Sequence, residues 1–339
     1  MSLIKESLKK IVDRQDLTKA ETKAVFQEIM SGNCSEAQIA AWVTALRMKG
    51  ETSEEVAACV EIMREAVFSI ECKDPFAVDS VGTGGDGAHT INISTTAAFV
   101  TAGAGITVAK HGNRAVSSKS GSADVLAALG INLDLTPEIM EDCLNNLGFT
   151  FLFAPKLHPA MKYAVGPRKA IGIRTIFNIL GPMTNPAGVT RGVIGVFSEH
   201  YCKLLAEAAL SAGVDHMLFV HGEDGLDEVT ICGKTTVYEV QNGEIKTYKF
   251  DPQDYGFKLQ SPEAIAGGSP EENAEAVLAV LNGNKGAHRD VVILNAAAAI
   301  LASDRVKSWE EAIAKATESI DSGSALEKLN KFAKASNSI

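Results

Sequence analysis

Asp79-Ser80-Val81-Gly82-Thr83-Gly84-Gly85-Asp86-Gly87 is the stretch of this sequence that decides the fold. The apolar run before Gly82 predicts a short buried strand, and the run 95–102 predicts a helix after the loop. Glycines let backbone amides approach an anion because no Cβ stands in the way, and a helix start adds partial positive charge. This strand–loop–helix order predicts a phosphate-binding site. The loop lacks both the glycine spacing of a dinucleotide fingerprint and the Lys-Ser/Thr ending of a nucleotide P-loop.

The residues that follow alternate between short apolar strands and helices. Strands are predicted near 106–109, 151–153, 192–197 and 217–220, and helices near 123–129 and 201–210. This alternation predicts an α/β domain with a mainly parallel central sheet. A β-rich stretch should then cover 229–231, 235–240 and 245–250, with a hairpin turn at Gln241-Asn242-Gly243. Ser269 followed by Pro270 predicts the start of the C-terminal helices.

The first 70 or so residues have only helical patterns. Thr18 and Ser35 each have Glu or Gln three positions later, the spacing of a capping box, and Ser53 precedes a fourth helix. We therefore expect a small N-terminal helical domain, residues 1–72, beside a larger α/β domain, residues 73–339.

Composition and charge exclude some classes of protein. The formal net charge of the 339 residues is −10, whereas a nucleic-acid binder normally carries a basic face, so we expect no nucleic-acid partner. The six cysteines form no CxxC pair and have no zinc-ligand spacing to a histidine, which is typical of free thiols in a reducing cytoplasm. No signal-peptide core is present, and no run approaches the ~20 apolar residues of a membrane span. The sequence predicts a cytoplasmic protein without a membrane segment.

Two further segments carry the residue types that a phosphate site needs. Asn92-Ile93-Ser94-Thr95 offers hydroxyl and amide groups at a helix start, where they cap the helix or bind phosphate oxygens or hydrated magnesium. The segment from Lys110 to Ser122 places four groups able to carry positive charge among serines and glycines. Cations provide charge while hydroxyls and amides provide geometry, so this segment is typical of a pyrophosphate site.

Two smaller features complete the set of candidate residues. Asp227 and Glu228 are adjacent carboxylates after an apolar strand, where they can both reach magnesium or form a charged surface turn. Arg168 suits bidentate capture of a carboxylate, and an ion pair on a helix surface is the alternative.

In their order and spacing, these motifs resemble those of the anthranilate phosphoribosyltransferase family, which serves tryptophan biosynthesis. The resemblance rests on Gly82 to Asp86, Asn92 to Thr95, Lys110 to Arg114 and Asp227-Glu228, and it covers essentially the whole chain. It implies a helical domain beside an α/β domain similar to that of pyrimidine nucleoside phosphorylases. It also implies a homodimer joined through the helical part, with a helical segment near 166–188 packing on the N-terminal helices.

The resemblance implies the substrates and the residues that hold them. The phosphoribosyl group of 5-phosphoribosyl 1-pyrophosphate (PRPP) would pass to the amine of anthranilate, giving N-(5-phosphoribosyl)anthranilate and pyrophosphate, with two Mg²⁺ ions per subunit. Catalysis would involve Lys110, His111 and Arg168. Anthranilate would contact Gly82, Asn113 and Arg168, and the metal would contact Ser94, Asp227 and Glu228. PRPP would be held by Gly82, Gly85, Asp86, Thr90, Asn92, Ile93, Ser94, Thr95, Lys110, His111, Gly112, Asn113, Arg114, Ala115, Val116, Ser117, Ser118 and Ser122.

Two alternatives stay open on the residues alone. A pyrimidine nucleoside phosphorylase-like enzyme would share the fold and the anion loop but would use phosphate as its nucleophile. A non-catalytic nucleic-acid-binding relative of the fold would need a basic groove, which the net charge of −10 disfavours. No firm general base is assigned within the main hypothesis, and His111 and His158 are the candidates for that role.

Overall fold

Four helices form the N-terminal part of the computed structural model, which describes residues 2–115 and 119–338. The predicted site residues Val116, Ser117 and Ser118 lie outside the described residues. Capping boxes begin the second and third helices at Thr18 and Ser35, as the sequence predicts. The bundle consists of α1 (Leu3–Val12), α2 (Lys19–Met30), α3 (Glu36–Lys49) and α4 (Ser53–Glu65).

The fourth helix differs slightly from the prediction. Ser53 is its first helical residue, and Thr52 is the cap, because the Thr52 side chain accepts a hydrogen bond from the backbone N–H of Glu55. The Glu55 carboxylate accepts in return from the N–H of Thr52, at 2.9 Å. In each of these three helices of the bundle, the capping box therefore satisfies two N–H groups at the helix start locally.

The α/β part follows from residue 79 onward. Its strands are β1 (Asp79–Gly82), β2 (Val108–Gly112), β3 (Phe149–Phe153), β4 (Arg191–Gly195), β5 (His216–Gly222), β6 (Thr235–Gln241) and β7 (Glu244–Phe250). Its helices are α5 (Ile93–Gly103), α6 (Ser122–Ala128), α7 (Pro137–Asp142), α8 (Ala154–Leu157), α9 (Lys162–Ile171), α10 (Phe177–Leu180), α11 (Glu199–Ser211), α12 (Pro270–Leu281), α13 (Ala287–Ala302), α14 (Trp309–Asp321) and α15 (Ser324–Ser336).

The central sheet has the order β1-β4-β5-β6-β7. The pairs β1–β4 and β4–β5 are parallel, while β6 and β7 continue the sheet as an antiparallel hairpin. Strands β2 and β3 form a parallel pair, which a parallel bridge between Val78 and Val108 joins to β1. Asn242 and Gly243 both have positive φ, as the predicted two-residue hairpin turn requires. The predicted α/β architecture with a mainly parallel sheet is confirmed.

The predicted strand at 229–231 is wrong. The side chain of Asn295 on α13 takes the place of a neighbouring strand: its Oδ1 accepts from the N–H of Val229, and its Nδ2 donates to the carbonyl oxygen of Val229. The N–H of Thr230 donates to the hydroxyl of Thr235. The apolar residues of this segment are buried. Side chains satisfy the backbone of Val229 and the N–H of Thr230, and the N–H of Gln260 donates to the carbonyl oxygen of Ile231, so no ladder forms.

Two apolar cores cover the two faces of the sheet. In β5, Leu218 and Val220 face the larger core with helices α5, α13 and α15, whereas Met217 and Phe219 face the second core. This alternation follows from the two-residue period of a strand. The second core contains α11, on which α4 packs, so the bundle covers this face of the sheet.

Helices α9 and α10 contribute to the same second core. Ala164, Phe177 and Leu180 are buried there, and the rings of Phe26 and Phe177 lie 5.5 Å apart between centroids. Helix α9 also contacts α2 and α3 of the bundle. The chain from α9 to α10 therefore packs against the N-terminal helices.

Candidate active site

The carboxyl ends of β1, β4 and β5 lie side by side at one edge of the sheet. Gly82 of β1 pairs with Gly195 of β4, which in turn pairs with Val220 of β5. The residues that follow these strands include the glycine-rich segment after Gly82 and the carboxylates Asp227 and Glu228. Ligands of open α/β sheets bind outside this edge.

The glycine loop, residues 82–90, is fixed at its start by two backbone donors. The N–H of Thr83 donates to the carbonyl oxygen of Gly195 at 2.8 Å, and the N–H of Gly84 donates to Oδ2 of Asp227 at 2.6 Å. Gly84 and Gly85 have φ values of +72° and +78°, a region that glycine enters without steric cost. A Cβ on Gly82 would lie 2.5 Å from Oδ2 of Asp227, so the loop requires glycine there as well.

Asp227 and Glu228 lie together below this loop, and each is only 8% exposed. Oε1 of Glu228 accepts from the N–H of Ser94, at the start of α5, at 3.2 Å. Burial raises the pKa of Asp227 well above its usual value, and the charges of Asp86 and Glu228 raise it further. Burial also raises the pKa of Glu228 to about 7, against the opposing effect of Lys110. A divalent cation would stabilise such a concentration of negative charge, so the residues fit one.

Among the described residues, no group of three or more His, Cys, Asp or Glu side chains is arranged to hold a metal ion by itself. Mg²⁺ typically uses one or two protein carboxylates together with waters and substrate phosphates. Asp227 and Glu228 are two such carboxylates, and Glu228 lies at the start of α5.

Lys110 lies beneath the site and is fully buried. Its Nζ donates to the carbonyl oxygen of Ser80 at 2.5 Å. Burial lowers the pKa of Lys110, while the charges of Asp79 and Glu228 act in the opposite direction. The positive charge of Lys110 therefore partly neutralises the carboxylates of Asp79 and Glu228. Strands β1 and β2 set its position.

Asp79 organises the polar core under Lys110 and His111. Its Oδ1 accepts from the backbone N–H of His111 at 3.1 Å, and its Oδ2 accepts from Nδ2 of Asn185 at 2.7 Å. Nδ2 of Asn185 also donates to the carbonyl oxygen of Ala109. Burial raises the pKa of Asp79 to about 6, and the charge of Lys110 opposes this shift.

His111 and His158 form a buried pair, with their Nε2 atoms 3.2 Å apart. Burial lowers the pKa of His111 to about 3 and the pKa of His158 to about 4, so both rings are neutral at neutral pH. A backbone hydrogen bond with Gly181 acts on the pKa of His111 in the opposite direction. The two rings share one hydrogen bond, in which one Nε2 donates to the other.

The segment after β2 folds around Asp124. Its carboxylate accepts from Nη1 of Arg114 at 2.9 Å, and from the N–H groups of Ala115 at 2.9 Å and Gly121 at 3.0 Å. Asn113 and Ser122 exchange two hydrogen bonds, N–H to Oγ and Oγ–H to the carbonyl oxygen. The structure thus brings the two ends of the predicted pyrophosphate segment together.

Asn92 links three distant segments at the start of α5. Its Nδ2 donates to the carbonyl oxygen of Ser120, and its Oδ1 accepts from Nδ2 of Asn273 on α12 at 2.8 Å. Thr90 forms an isolated antiparallel bridge with Ala266, just before the same helix. Asn92 therefore connects α5 to the predicted pyrophosphate segment and to α12.

Two arginines lie close together in the chain, Arg168 on α9 and Arg174 in the connection between α9 and α10. The guanidinium of Arg168, on α9, lies 5.6 Å from the ring centroid of Phe177. Arg174 instead reaches the glycine loop, where its Nη2 donates to the carbonyl oxygen of Gly85. The sequence singled out Arg168 and gave Arg174 no role.

Sequence reasoning also missed Asp79, Asn185 and Asn273 as structural members of the site. Asp79 carried a usable signal, because a carboxylate inside an apolar strand is costly to bury unless it is paired. Asn185 and Asn273 carried none, since each acts on groups far away in the chain.

Comparison with known families agrees with this architecture. Residues 5–67 match the model described as "Glycosyl transferase family, helical bundle domain", and residues 74–326 match "Glycosyl transferase family, a/b domain". The fold and the site therefore define a glycosyltransferase composed of a helical bundle and an α/β part.

Full-length relatives narrow the family. Anthranilate phosphoribosyltransferase of Acetivibrio thermocellus is 48% identical over 99% of this chain and 97% of its own length, and that of Aquifex aeolicus is 48% identical over all of both chains. The crystal structure of the Thermus thermophilus enzyme superposes with a TM-score of 0.93 at 41% identity, covering 98% of this chain and 99% of that one. The Saccharomyces cerevisiae enzyme, in complex with PRPP and Mg, gives 0.91 at 30% identity, covering 99% and 98%. The chain belongs to the anthranilate phosphoribosyltransferase family.

Proposed function

We propose that this chain transfers the phosphoribosyl group of PRPP to the amine of anthranilate, releasing pyrophosphate, as a step of tryptophan biosynthesis. The observation that carries the proposal is the meeting of the glycine loop, the carboxylates Asp227 and Glu228, and buried Lys110 at one edge of the sheet. A yeast relative with this fold binds PRPP and Mg, and the same enzyme also binds 4-fluoroanthranilate. Together these findings support the two substrates.

PRPP lies along the glycine loop and the start of α5 in this proposal. Backbone N–H groups of the loop and of the helix start face its phosphates, because both present donors to an anion. Arg114 and Lys119 add positive charge from the neighbouring segment. The residues assigned to PRPP are those at positions 82, 85, 86, 90, 92–95, 110–118 and 122.

Magnesium is the proposed cofactor, with two ions per subunit. Ser94 contacts one ion, and Asp227 and Glu228 contact the other. Bound Mg²⁺ supplies positive charge that stabilises the leaving pyrophosphate. The buried carboxylates and their raised pKa values support this assignment, because a cation removes the cost of ionising them.

Anthranilate lies next to Gly82, Asn113 and Arg168. The guanidinium of Arg168 pairs with the carboxylate of anthranilate and so directs the ortho amine toward C1 of the ribose. The amine attacks C1 with inversion while the C1–O bond to pyrophosphate breaks, and the nitrogen then loses a proton to the released pyrophosphate or to water. Lys110, from below, helps to balance the charge that develops.

His111 takes a positional part in this mechanism. Its Nε2 shares a hydrogen bond with Nε2 of His158, and both rings are neutral. An aryl amine is uncharged before attack, so alignment rather than deprotonation is the main requirement. His111 and His158 therefore shape the site, and the attack itself requires no general base.

The arrangement of the chain completes the proposal. We assign residues 1–72 to the helical domain and 73–339 to the α/β domain, with the helical segment near 166–188 packed on the former. The packing of α9 and α10 on the bundle supports this division. The working form is a cytoplasmic homodimer joined through the helical part, and the six unpaired cysteines accord with a reducing compartment. Among the described residues, no helix is long and apolar enough to cross a membrane.

The decisive experiment follows the fluorescence of anthranilate. Its signal should fall when the protein, PRPP and Mg²⁺ are all present, and should stay constant when any one of them is omitted. Persistent fluorescence in the complete mixture would refute the proposed reaction. Phosphorolysis of thymidine or uridine in the presence of phosphate would instead support the nucleoside phosphorylase alternative.

A further inference from the structure

Arg174 reaches the glycine loop from the connection between α9 and α10. Its Nη2 donates to the carbonyl oxygen of Gly85, and its Cζ lies 4.2 Å from the ring centroid of Phe197. A Cβ on Gly85 would lie 2.8 Å from the same Nη2. The arginine therefore covers one side of the loop at Gly85, one of its residues with positive φ.

Phe197, on which the guanidinium rests, is itself connected to the loop. It follows β4, and its backbone N–H donates to the hydroxyl of Thr83 at 3.2 Å. Its ring packs against that of Tyr201 on α11, with centroids 5.1 Å apart. Arg174 and Phe197 thus tie the beginning and the middle of the glycine loop to the sheet and α11.

This contact determines which way one peptide of the loop faces. In a trans peptide, the carbonyl oxygen and the following N–H point in opposite directions. Because Arg174 holds the oxygen of Gly85, the N–H of Asp86 points away from Arg174. Within the described part of the chain, no residue accepts a hydrogen bond from the N–H groups of Gly85, Asp86 or Gly87. Free N–H groups attract an anion, whereas a carbonyl oxygen facing it would repel it.

We propose that Arg174 is a positioning residue that holds the carbonyl oxygen of Gly85 and keeps the adjacent N–H groups available to the pyrophosphate of the substrate. The identity of that substrate rests on the proposed function, whereas the anchoring of the loop rests on geometry alone. Arg174 acts here through the glycine loop and makes no contact with the reacting atoms.

Three variants separate anchoring from a direct ion pair with the substrate. Arg174→Met keeps an apolar stem on Phe197 but removes the donor, and Phe197→Leu removes the ring without changing any charge. Arg305→Met is the matched control, because Arg305 is half-exposed and lies 4.1 Å from the ring centroid of Phe76. Phe76 precedes β1, whereas the glycine loop follows it.

Hydrogen–deuterium exchange of the ligand-free protein tests the anchor without any assay of activity. The peptide covering 83–90 should exchange faster in Arg174→Met and Phe197→Leu, because the amides of Thr83 and Gly84 lose protection when the loop moves. Exchange in Arg305→Met should match the wild type. Unchanged exchange of this peptide in Arg174→Met would overturn the proposal.

Steady-state kinetics then test the consequence for the substrate. In Arg174→Met, KM for PRPP should rise about tenfold, while KM for anthranilate stays within about twofold. Phe197→Leu should raise KM for PRPP in the same direction, and the double variant should fall short of the product of the two effects. If KM for PRPP in Phe197→Leu equals that of the wild type, Arg174 forms a direct ion pair with the substrate instead. If KM rises equally for PRPP and anthranilate in Arg174→Met, the substitution disturbs the site in general. Either result overturns the proposal. If the wild type itself turns over no anthranilate, the proposed function fails and the exchange experiment alone decides the role of Arg174.

Discussion

Asp227 shows how one buried side chain serves both a loop and a charge cluster. Its Oδ2 receives the N–H of Gly84, and its carboxylate lies so close to Gly82 that a Cβ there would collide with it. Its raised pKa reports burial beside Asp86 and Glu228. The side chain therefore holds the glycine loop and also needs a cation when it ionises.

Removing the charge of Asp227 or of Glu228 should change the magnesium concentration that the reaction requires. Asp227→Asn and Glu228→Gln keep the shape of each side chain, yet each should raise the Mg²⁺ concentration for half-maximal rate by about tenfold or more and lower kcat. The measurement is a magnesium titration at saturating PRPP and anthranilate. Asp224→Asn is the control, because Asp224 bonds to Thr230 and Leu226 instead. Wild-type titrations for both test variants would remove the pair from the metal site.

The histidine pair predicts a pH dependence of stability. The pKa of His158 falls from 6.5 to about 4 on folding. Between these two pH values, the unfolded chain binds a proton at this residue and the folded chain does not. The stabilising contribution is complete above pH 6.5 and is lost as the pH falls toward 4. Asp79, with its pKa raised to about 6, acts in the opposite direction, so the wild-type curve alone cannot isolate His158.

Comparing the free energy of unfolding of the wild type with that of a variant isolates the contribution of His158. His158→Gln keeps a hydrogen-bonding group for His111 but does not titrate. The free energy of unfolding of the wild type relative to this variant should therefore fall by about 2 kcal/mol between pH 7 and pH 5. Urea unfolding at several pH values gives this difference. The exposed His200→Gln should keep the wild-type curve, and a pH-independent difference for His158→Gln would contradict the burial argument.

At the scale of the element, β4 depends on glycines where other chain segments approach it. A Cβ on Gly195 would lie 1.6 Å from the carbonyl oxygen of Asp227, and one on Gly192 would lie 2.1 Å from that of Asp79. Backbone atoms cannot move aside as a flexible side chain can. The close approach of the Asp227 turn to the end of β4 is what places the carboxylates beneath the glycine loop.

Gly195→Ala should therefore damage both stability and the site. We expect the free energy of unfolding to fall by about 3 kcal/mol or more, or the protein to be recovered unfolded, because the turn at Asp227 must shift. Gly181→Ala is the control, since its Cβ meets nothing within 4 Å, and it should stay within about 1 kcal/mol of the wild type. Urea denaturation followed by circular dichroism measures both, and similar values for the two variants would contradict the steric argument.

At the scale of the whole molecule, the helical bundle shares a core with one face of the sheet. That core contains residues of α2, α3, α4, α9, α10 and α11, so the bundle and the α/β part are joined by continuous apolar packing. Leu3 of α1, Met48 of α3 and Val165 of α9 are exposed, with Met48 at 70%. Exposed apolar side chains on helices of this part accord with the proposed dimer through the helical part.

A charge at one of these exposed apolar positions should weaken the dimer. The wild type should have a solution mass of twice 35.8 kDa, and Met48→Glu should shift it toward the single-chain mass. Light scattering after size exclusion measures both masses. Leu259→Glu, at an exposed leucine of the α/β part, is the control and should leave the mass unchanged. A wild type of single-chain mass would refute the proposed dimer, and a Met48→Glu variant of dimer mass would place its interface elsewhere.

The strand predicted at 229–231 shows where local reasoning fails. Its apolar residues favour a strand, but a side chain from α13 pairs with its backbone, and nothing within the segment signals this. Arg174 illustrates the same point at the site, because its contact with Gly85 joins residues 89 positions apart. Propensity and motif describe a segment, whereas these outcomes depend on what packs against it.

By itself, the sequence determined the features that depend on residues a few positions apart. The capping boxes at Thr18 and Ser35, the hairpin turn at Asn242-Gly243 and the strand–loop–helix order around Gly84 are of this kind. Only the tertiary structure decided which distant groups meet. Gly84 and Asp227 are 143 positions apart, His111 and His158 are 47 apart, and Asp79 and Asn185 are 106 apart. The physical reason is that strand order and helix packing bring such groups together, and no local pattern encodes that order.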